Sequence, residues 1–281
     1  MVRNRKNMVA ISRWIGIFVV IVLFIGGCAI PNKTAKSEKE FYKQLDADSV
    51  LQYAINLYRK EKYFRAQEVL SYLLEEYRTH PIAEKAYYYY ALTFFGIGEP
   101  ASAGYHLHVF INRFPESPLV PDAYYWKAYA LYAMSLPYNL DQTYTKRAIE
   151  AFQLYLNLYP EHKHSTEAKK HIKTLRRRLQ KKDIYNAELY YKIGEYLSAK
   201  IALTHVLEDW HDLPEKDYVA FLIIKSAYLY AINSVEEKQV DRLKEVMELY
   251  HKYEMFFKDS QHAQEVKKIY EDTKERLNSQ S

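Results

Sequence analysis

Hydrophobic positions along the chain fall into three regimes. Residues 14–25 form an unbroken apolar run behind a basic start. Residues 29 to about 47 are polar and show no apolar period. From there to the end, apolar residues recur at helical spacing, as with Ile172, Leu175 and Leu179. Within this third regime one mark repeats: a small residue followed eleven positions later by an aromatic one. Ala66 pairs with Tyr77, Ala103 with Phe114, Ala148 with Tyr159 and Ala199 with Trp210. Eleven residues make about three helical turns, so both ends of each pair face the same way. Prolines punctuate the sequence behind the marks at Pro81, Pro118, Pro160 and Pro214. Ahead of them the preceding helix closes in similar ways, as Lys62-Tyr63, Gly98-Glu99-Pro100 and Gly194-Glu195-Tyr196.

This pattern predicts a helix–turn–helix unit repeated at least four times. A weaker fifth unit runs from about Asp217 through Phe257, and a last helix follows from about Gln261 to Leu277. The marks are spaced 37, 45 and 51 residues apart, which fits the 34-residue tetratricopeptide unit lengthened by insertions. The insertion before Ala148 falls on an inter-helix loop at 136–142. The expected fold class is all-α: an α-solenoid of about five tetratricopeptide-like helix–turn–helix repeats.

Composition supports helices over strands. The chain has 281 residues, and 7 Gly and 9 Pro are too few for a strand-and-turn fold. It carries 29 Tyr, a residue suited to wet interfaces. The formal net charge of +5 falls to +1 without Arg3, Arg5, Lys6 and Arg13, which removes the main support for nucleic-acid binding. Those residues belong to an expected leader over 1–27, whose apolar run is too short for a bilayer-spanning helix. Directly behind Gly26-Gly27 stands Cys28, the single cysteine. The segment Ile25-Gly26-Gly27-Cys28 resembles a bacterial lipoprotein signal, which implies cleavage before Cys28 and acylation of it. Residues 28–46 would then be a lipidated tether. Ala29 is not the Asp of an inner-membrane retention signal, so attachment to the outer membrane, facing the periplasm, is expected.

Solenoids of this kind open a concave face along the first helix of each repeat. Tyr87, Tyr88, Tyr89 and Tyr90 point in four directions on one helix, so they cannot all be core. With Phe94, Tyr124, Tyr125 and Trp126 they are the candidate peptide groove. The stretch 169–182 holds eight basic residues and no acid. Its bland reading is a solvated face; its sharper readings are an acidic partner protein or anionic lipid headgroups. Sequence motifs of enzymes are missing: no Gly-rich phosphate loop, no His-Glu-x-x-His, no Gly-x-Ser-x-Gly. His106 and His108 fall on different sides of a helix, and His162 and His164 lie in a turn. No cofactor and no metal site are expected.

Three stretches carry a family resemblance. They are Lys62-Tyr63-Phe64-Arg65-Ala66; Tyr144 through Phe152 with Tyr159-Pro160; and Leu175-Arg176-Arg177-Arg178-Leu179 with Ala187 through Tyr191 and Gly194-Glu195-Tyr196. With the leader, the tether and the repeats they look like the BamD family, lipoproteins of the outer-membrane β-barrel assembly machinery. The resemblance runs from Cys28 to about Trp210. It implies that units within 47–118 receive unfolded β-barrel precursors. Units within 119–281 would dock the periplasmic domains of a BamA-like barrel subunit, with Arg176, Arg177, Arg178, Tyr190 and Tyr191 as docking residues. Accessory lipoproteins of the same machinery are further implied partners. One departure stands out: Ala202 occupies a place where the family commonly has Arg. The competing readings are a scaffold lipoprotein that organises peptidoglycan or division enzymes, and a hydrolase with a convergent nucleophile–base pair. If the first reading holds, replacing Tyr88, Tyr89 and Phe94 by Ala is expected to weaken precursor binding without unfolding the body.

Overall fold

The computed structural model describes residues 40–279; the leader, Cys28 and most of the tether lie outside them. Among the described residues all regular structure is helical. In chain order the helices are α1 (Ala47–Arg59), α2 (Tyr63–Glu76), α3 (Ile82–Gly96), α4 (Pro100–Arg113), α5 (Val120–Ala133) and α6 (Thr143–Leu158). They continue as α7 (Ser165–Lys192), α8 (Tyr196–Asp209), α9 (Lys216–Ile232), α10 (Glu236–Phe257) and α11 (Ala263–Ser279). The fold is the all-α array of tetratricopeptide-like helix pairs that the spacing predicts. Residues up to 93 form one compact unit and residues from 94 onward another. The division falls inside α3.

The recurring mark has a structural meaning. Ala66, Ala103, Ala148 and Ala199 are fully buried, each near the start of the second helix of a pair, where a larger side chain would force the neighbouring helix away. Tyr77, Phe114, Tyr159 and Trp210 are the C-cap residues of α2, α4, α6 and α8. Their backbone N–H groups donate to the carbonyls of Leu73, Phe110, Tyr155 and Val206. The mark thus measures the length of the second helix from its packing point to its end. The weak fifth unit follows the same ruler with Val246, also fully buried, in place of the alanine and Phe257 as the last residue of α10.

The first helices of three pairs end in one geometry. Glu61, Gly98 and Gly194 have φ of 58°, 83° and 86°. The next N–H in each case donates back five residues: Lys62 to Leu57, Glu99 to Phe94 and Glu195 to Tyr190, at 2.9, 2.8 and 2.9 Å. This left-handed closure explains the similar helix ends in the sequence. In the pair formed by α5 and α6 the loop at 134–142 takes its place.

The first unit is built around Val50, Leu51, Ala54 and Ile55 of α1 and Val69, Leu70 and Leu73 of α2, with Ile82 and Ala86 of α3. Its entry is capped by Asp46, which accepts from the Ser49 N–H at 2.9 Å. These bonds hold the Asp46 carboxyl below its usual range. The second unit has one core on Phe152, Tyr155, Ala168 and Leu175 and another on Leu203, Val219, Val246 and Val266.

Candidate functional site

Small residues decide which way α5 faces. Ala123, Ala128 and Ala130 are fully buried and let the helix sit close to its neighbours. Trp126, Tyr129 and Tyr132 follow one another at i, i+3 and i+6, and so share a face. All three are half-buried. Phe95 joins them from the end of α3, with ring centroids 5.6 Å from Trp126 and 5.7 Å from Tyr129. Trp126 and Tyr129 are 5.4 Å apart, and Tyr129 and Tyr132 5.6 Å. His171 of α7 closes the row at 4.4 Å from Tyr132 and 5.5 Å from Tyr129. The result is a ladder of half-buried rings across the first helices of successive pairs, apolar in body with polar tips.

Beneath it lies a polar support. Tyr125 is buried and stacks on His164 with centroids 4.2 Å apart and planes 14° from parallel. Its hydroxyl lies 3.3 Å from His171 Nε2, which ties the support to the ladder. Burial pushes the Tyr125 hydroxyl up to about 12, so it stays protonated. Asp122, also buried, takes Lys163 Nζ at 2.8 Å and has His164 Nε2 at 2.9 Å. His162 Nδ1 meets the Tyr155 hydroxyl at 2.8 Å. Desolvation lowers the pKa of both His164 and His171, in His164 against the pull of Asp122.

The expected groove residues therefore scatter. Trp126 lies on the ladder. Tyr125, Tyr88 and Phe94 are buried. Phe94 stacks on His106 at 4.8 Å. Tyr124 turns to Tyr159 at 5.7 Å and to Lys127. Tyr87, Tyr89 and Tyr90 are half-buried, with Tyr89 5.6 Å from Tyr58 and Tyr87 6.1 Å from Tyr90. The reading of the sequence missed Tyr129, Tyr132 and His171. The i+3 spacing after Trp126 was the available signal for the two tyrosines.

The three arginines of the cationic helix have partners within the chain. Arg176 reaches Asp212 at 3.5 Å and lies over the Trp210 ring at 5.1 Å. Arg177 pairs with Glu215 and donates to Gln180 at 3.2 Å. Arg178 donates to the Ser135 carbonyl at 3.2 Å. All three brace α7 against the turn before α9 and the loop after α5.

The family model described as "Outer membrane lipoprotein", YfiO, matches residues 43–243. The chain belongs to this family. It is 24% identical over 169 residues to the outer membrane protein assembly factor BamD of Caulobacter vibrioides. That match covers 59% of this chain and 55% of the relative, so the chain spans little more than half the relative's length. Among solved structures it is similar to a thermophilic TPR protein of Thermus thermophilus, at 15% identity, 84% and 98% coverage and a TM-score of 0.34. It is also similar to the TPR2AB domain of yeast Sti1 in a pHSP90 complex, at 14% identity, 81% and 98% coverage and a TM-score of 0.41.

The YfiO match takes in α1 to α9 and the start of α10, and leaves α11 outside it. Inside the matched span, the turn from α7 into α8 exposes Leu189, Tyr190, Ile193, Leu197 and Ile201 by 38–70%. Tyr191 is half-buried and meets Tyr196 edge-on at 5.9 Å. Ala202, the departure from the family pattern, is partly buried against the core of Leu203 and Val206. An Arg there would have to leave that packing or carry its charge into it.

Proposed function

We propose that this chain is an outer-membrane protein assembly factor, a scaffold lipoprotein that binds unfolded β-barrel precursors and presents them to a barrel-forming, BamA-like subunit. The observation that carries the reading is the ring ladder of Phe95, Trp126, Tyr129, Tyr132 and His171, within a chain of the YfiO family. Its mode of action is binding rather than covalent chemistry. Extended, aromatic-rich segments bury apolar surface on the rings, and the tyrosine hydroxyls meet backbone groups that would otherwise lose their water. The name of the Caulobacter vibrioides relative supports the assembly role. The docking face for the barrel subunit, and for accessory lipoproteins, is assigned to the exposed apolar residues around Tyr190 and Ile193. Cys28 is the assigned lipid attachment point, which would place the body on the periplasmic face of the outer membrane.

The test is binding of a urea-unfolded β-barrel precursor, diluted into buffer, to the chain and to the triple variant Trp126→Ala, Tyr129→Ala, Tyr132→Ala. Affinity is expected to fall by about tenfold or more, with the helical spectrum kept. Equal affinity with an intact spectrum would remove the ladder as the binding site. A tagged pull-down from gently solubilised membranes separates the partner classes. Recovery of cell-wall enzymes without a large barrel protein would replace the assembly reading with that of a division or peptidoglycan scaffold.

A further inference from the structure

Helix α6 carries two apolar stripes, one residue out of step with each other. Thr145, Ala148, Phe152 and Tyr155 form the first and are buried in the second unit. The other runs Tyr144, Arg147, Ala151, Leu154 and Leu158, spaced by three, four, three and four residues. Successive residues stand about 100° apart around a helix, so the two stripes face different ways. The second one looks outward: Tyr144 is 39% exposed, Leu154 47% and Leu158 48%.

The other helix pairs hold different residues at the same places. Four residues before the small-residue mark stand Lys62, Glu99, Glu195 and Arg242, all charged, where α6 has Tyr144. Ten residues after the mark stand Glu76, Arg113, Asp209 and Phe256, where α6 has Leu158, and all five are exposed. Six residues after it, His205 and Lys252 are exposed where α6 has Leu154, while Tyr72 and Val109 turn inward. Phe256 is thus a single apolar residue on a helix with Arg242 and Lys252 at the other two places. Among the described pairs only α6 is apolar and exposed at all three. Single exposed apolar residues need no explanation, but a continuous seam of them marks an interaction site.

The spacing selects the shape of what fits. Seam residues recur every 3.5 positions on average, about 5 Å along the axis, which is the interval of a second helix's own seam. Same-face residues of a strand recur at about 6.6 Å and would fall out of step. Charge selects further. Arg147 interrupts the apolar seam; it is exposed and makes no salt bridge among the described residues. Asp141, a carboxylate that feels its charge, has both oxygens on Thr143, at 2.9 and 2.8 Å. A helix laid on the seam therefore gains from a carboxylate at the level of Arg147. A second copy of α6 offers none there. Parallel, Arg147 would meet Arg147; antiparallel, in either register that pairs most of the seam, it would meet Ala151 or Leu158. We infer that this seam docks an amphipathic α-helix of another polypeptide, with apolar residues at the same spacing and an acidic residue against Arg147. It is made of other residues than the ring ladder and the α7–α8 turn, and it does not rest on the assembly reading.

The experiment uses the full chain and two fluorescent amphipathic peptides of three heptads, read by anisotropy. Both have leucine along the seam except at one central position, which is glutamate in one peptide and lysine in the other. The glutamate peptide is expected to bind at least about fivefold more tightly than the lysine one. Arg147→Glu should reverse that order. The double variant Leu154→Gln, Leu158→Gln should weaken the glutamate peptide by about tenfold or more, with the helical spectrum kept because both side chains are already exposed. No binding of the glutamate peptide, equal binding of the two, an unreversed order in Arg147→Glu, or unchanged affinity in the double variant would overturn the assignment. Two further results would overturn the occupant. A dimer of the free chain in sedimentation that the double variant dissolves would make it a second copy. Flotation with phosphatidylglycerol vesicles that the double variant loses would make it a lipid surface. No precursor enters these measurements, so this inference and the assembly reading can fail separately.

Discussion

Two tyrosine-rich helices with similar sequences do different things. In α3, within the first unit, Tyr88 is buried and Tyr89 leans edge-on against Tyr58, so the rings extend an apolar core of leucines and valines. In α5, within the second unit, Tyr125 is equally buried but rests on His164 and reaches His171, above a buried Asp122. The aromatic run is the same kind of signal in both helices. What differs is the polarity of what the next helices bring. Polar groups hold the α5 rings in place from below and leave Trp126, Tyr129 and Tyr132 partly open. Clusters of tyrosine thus say where a chain is aromatic, and their neighbours decide how each ring is supported.

The largest expected test of this contrast is Tyr125→Ala. It removes a buried ring, with its stack on His164 and its hydroxyl contact with His171, at a cost of about 4 kcal/mol. Urea unfolding followed by the helical signal would measure it, and a loss below about 1 kcal/mol would mean that Tyr125 is not a keystone.

Acid should then separate the units. Burial lowers the folded-state pKa of His164 and His171, so the unfolded chain takes up their protons first. Their contribution is fully present above the ordinary histidine value of about 6.5 and is lost as pH falls through the lowered folded-state values. Hydrogen exchange, corrected for its intrinsic pH dependence, should show α5 and the start of α7 loosening on acidification before α1 and α2. Simultaneous loosening would contradict the polar-support account.

A smaller and opposite pair comes from the shared helix ends. Glu61→Gly in the first unit should stabilise by about 1 kcal/mol, because Glu61 has φ of 58°. Gly194→Ala in the second should destabilise by about the same amount. A Cβ on Gly194 meets nothing within 4 Å, so backbone strain alone is at stake. Equal signs in thermal melts would refute the common geometry. Smallest of all, Phe64→Ala on α2 should change stability by less than about 0.5 kcal/mol, since the ring is 70% exposed.

The repeat was legible in the sequence because its mark encodes a length and a close approach, both local to one helix. Val246 hid the fifth mark only because a valine fills the place of the alanine. The faces of the tyrosines were not legible, since Tyr125 and Trp126 are neighbours in sequence and part company through contacts with α7. Nor were the arginines: Arg176, Arg177 and Arg178 look free in a run without acids, yet their partners Asp212, Glu215 and Ser135 lie 36, 38 and 43 residues away.

Helix α7, at 28 residues twice the length of α8 beside it, adds a mechanical consequence. At 1.5 Å per residue it is a beam of roughly 42 Å, so a tilt of about 5° at its first turn would carry its far end by about 4 Å. Its first turn sits on His164 and Asp122, and its far end leads into the exposed turn at Ile193. A small change of angle at one end would thus appear as a larger displacement at the other, so the length of α7 sets how far the α7–α8 turn would travel.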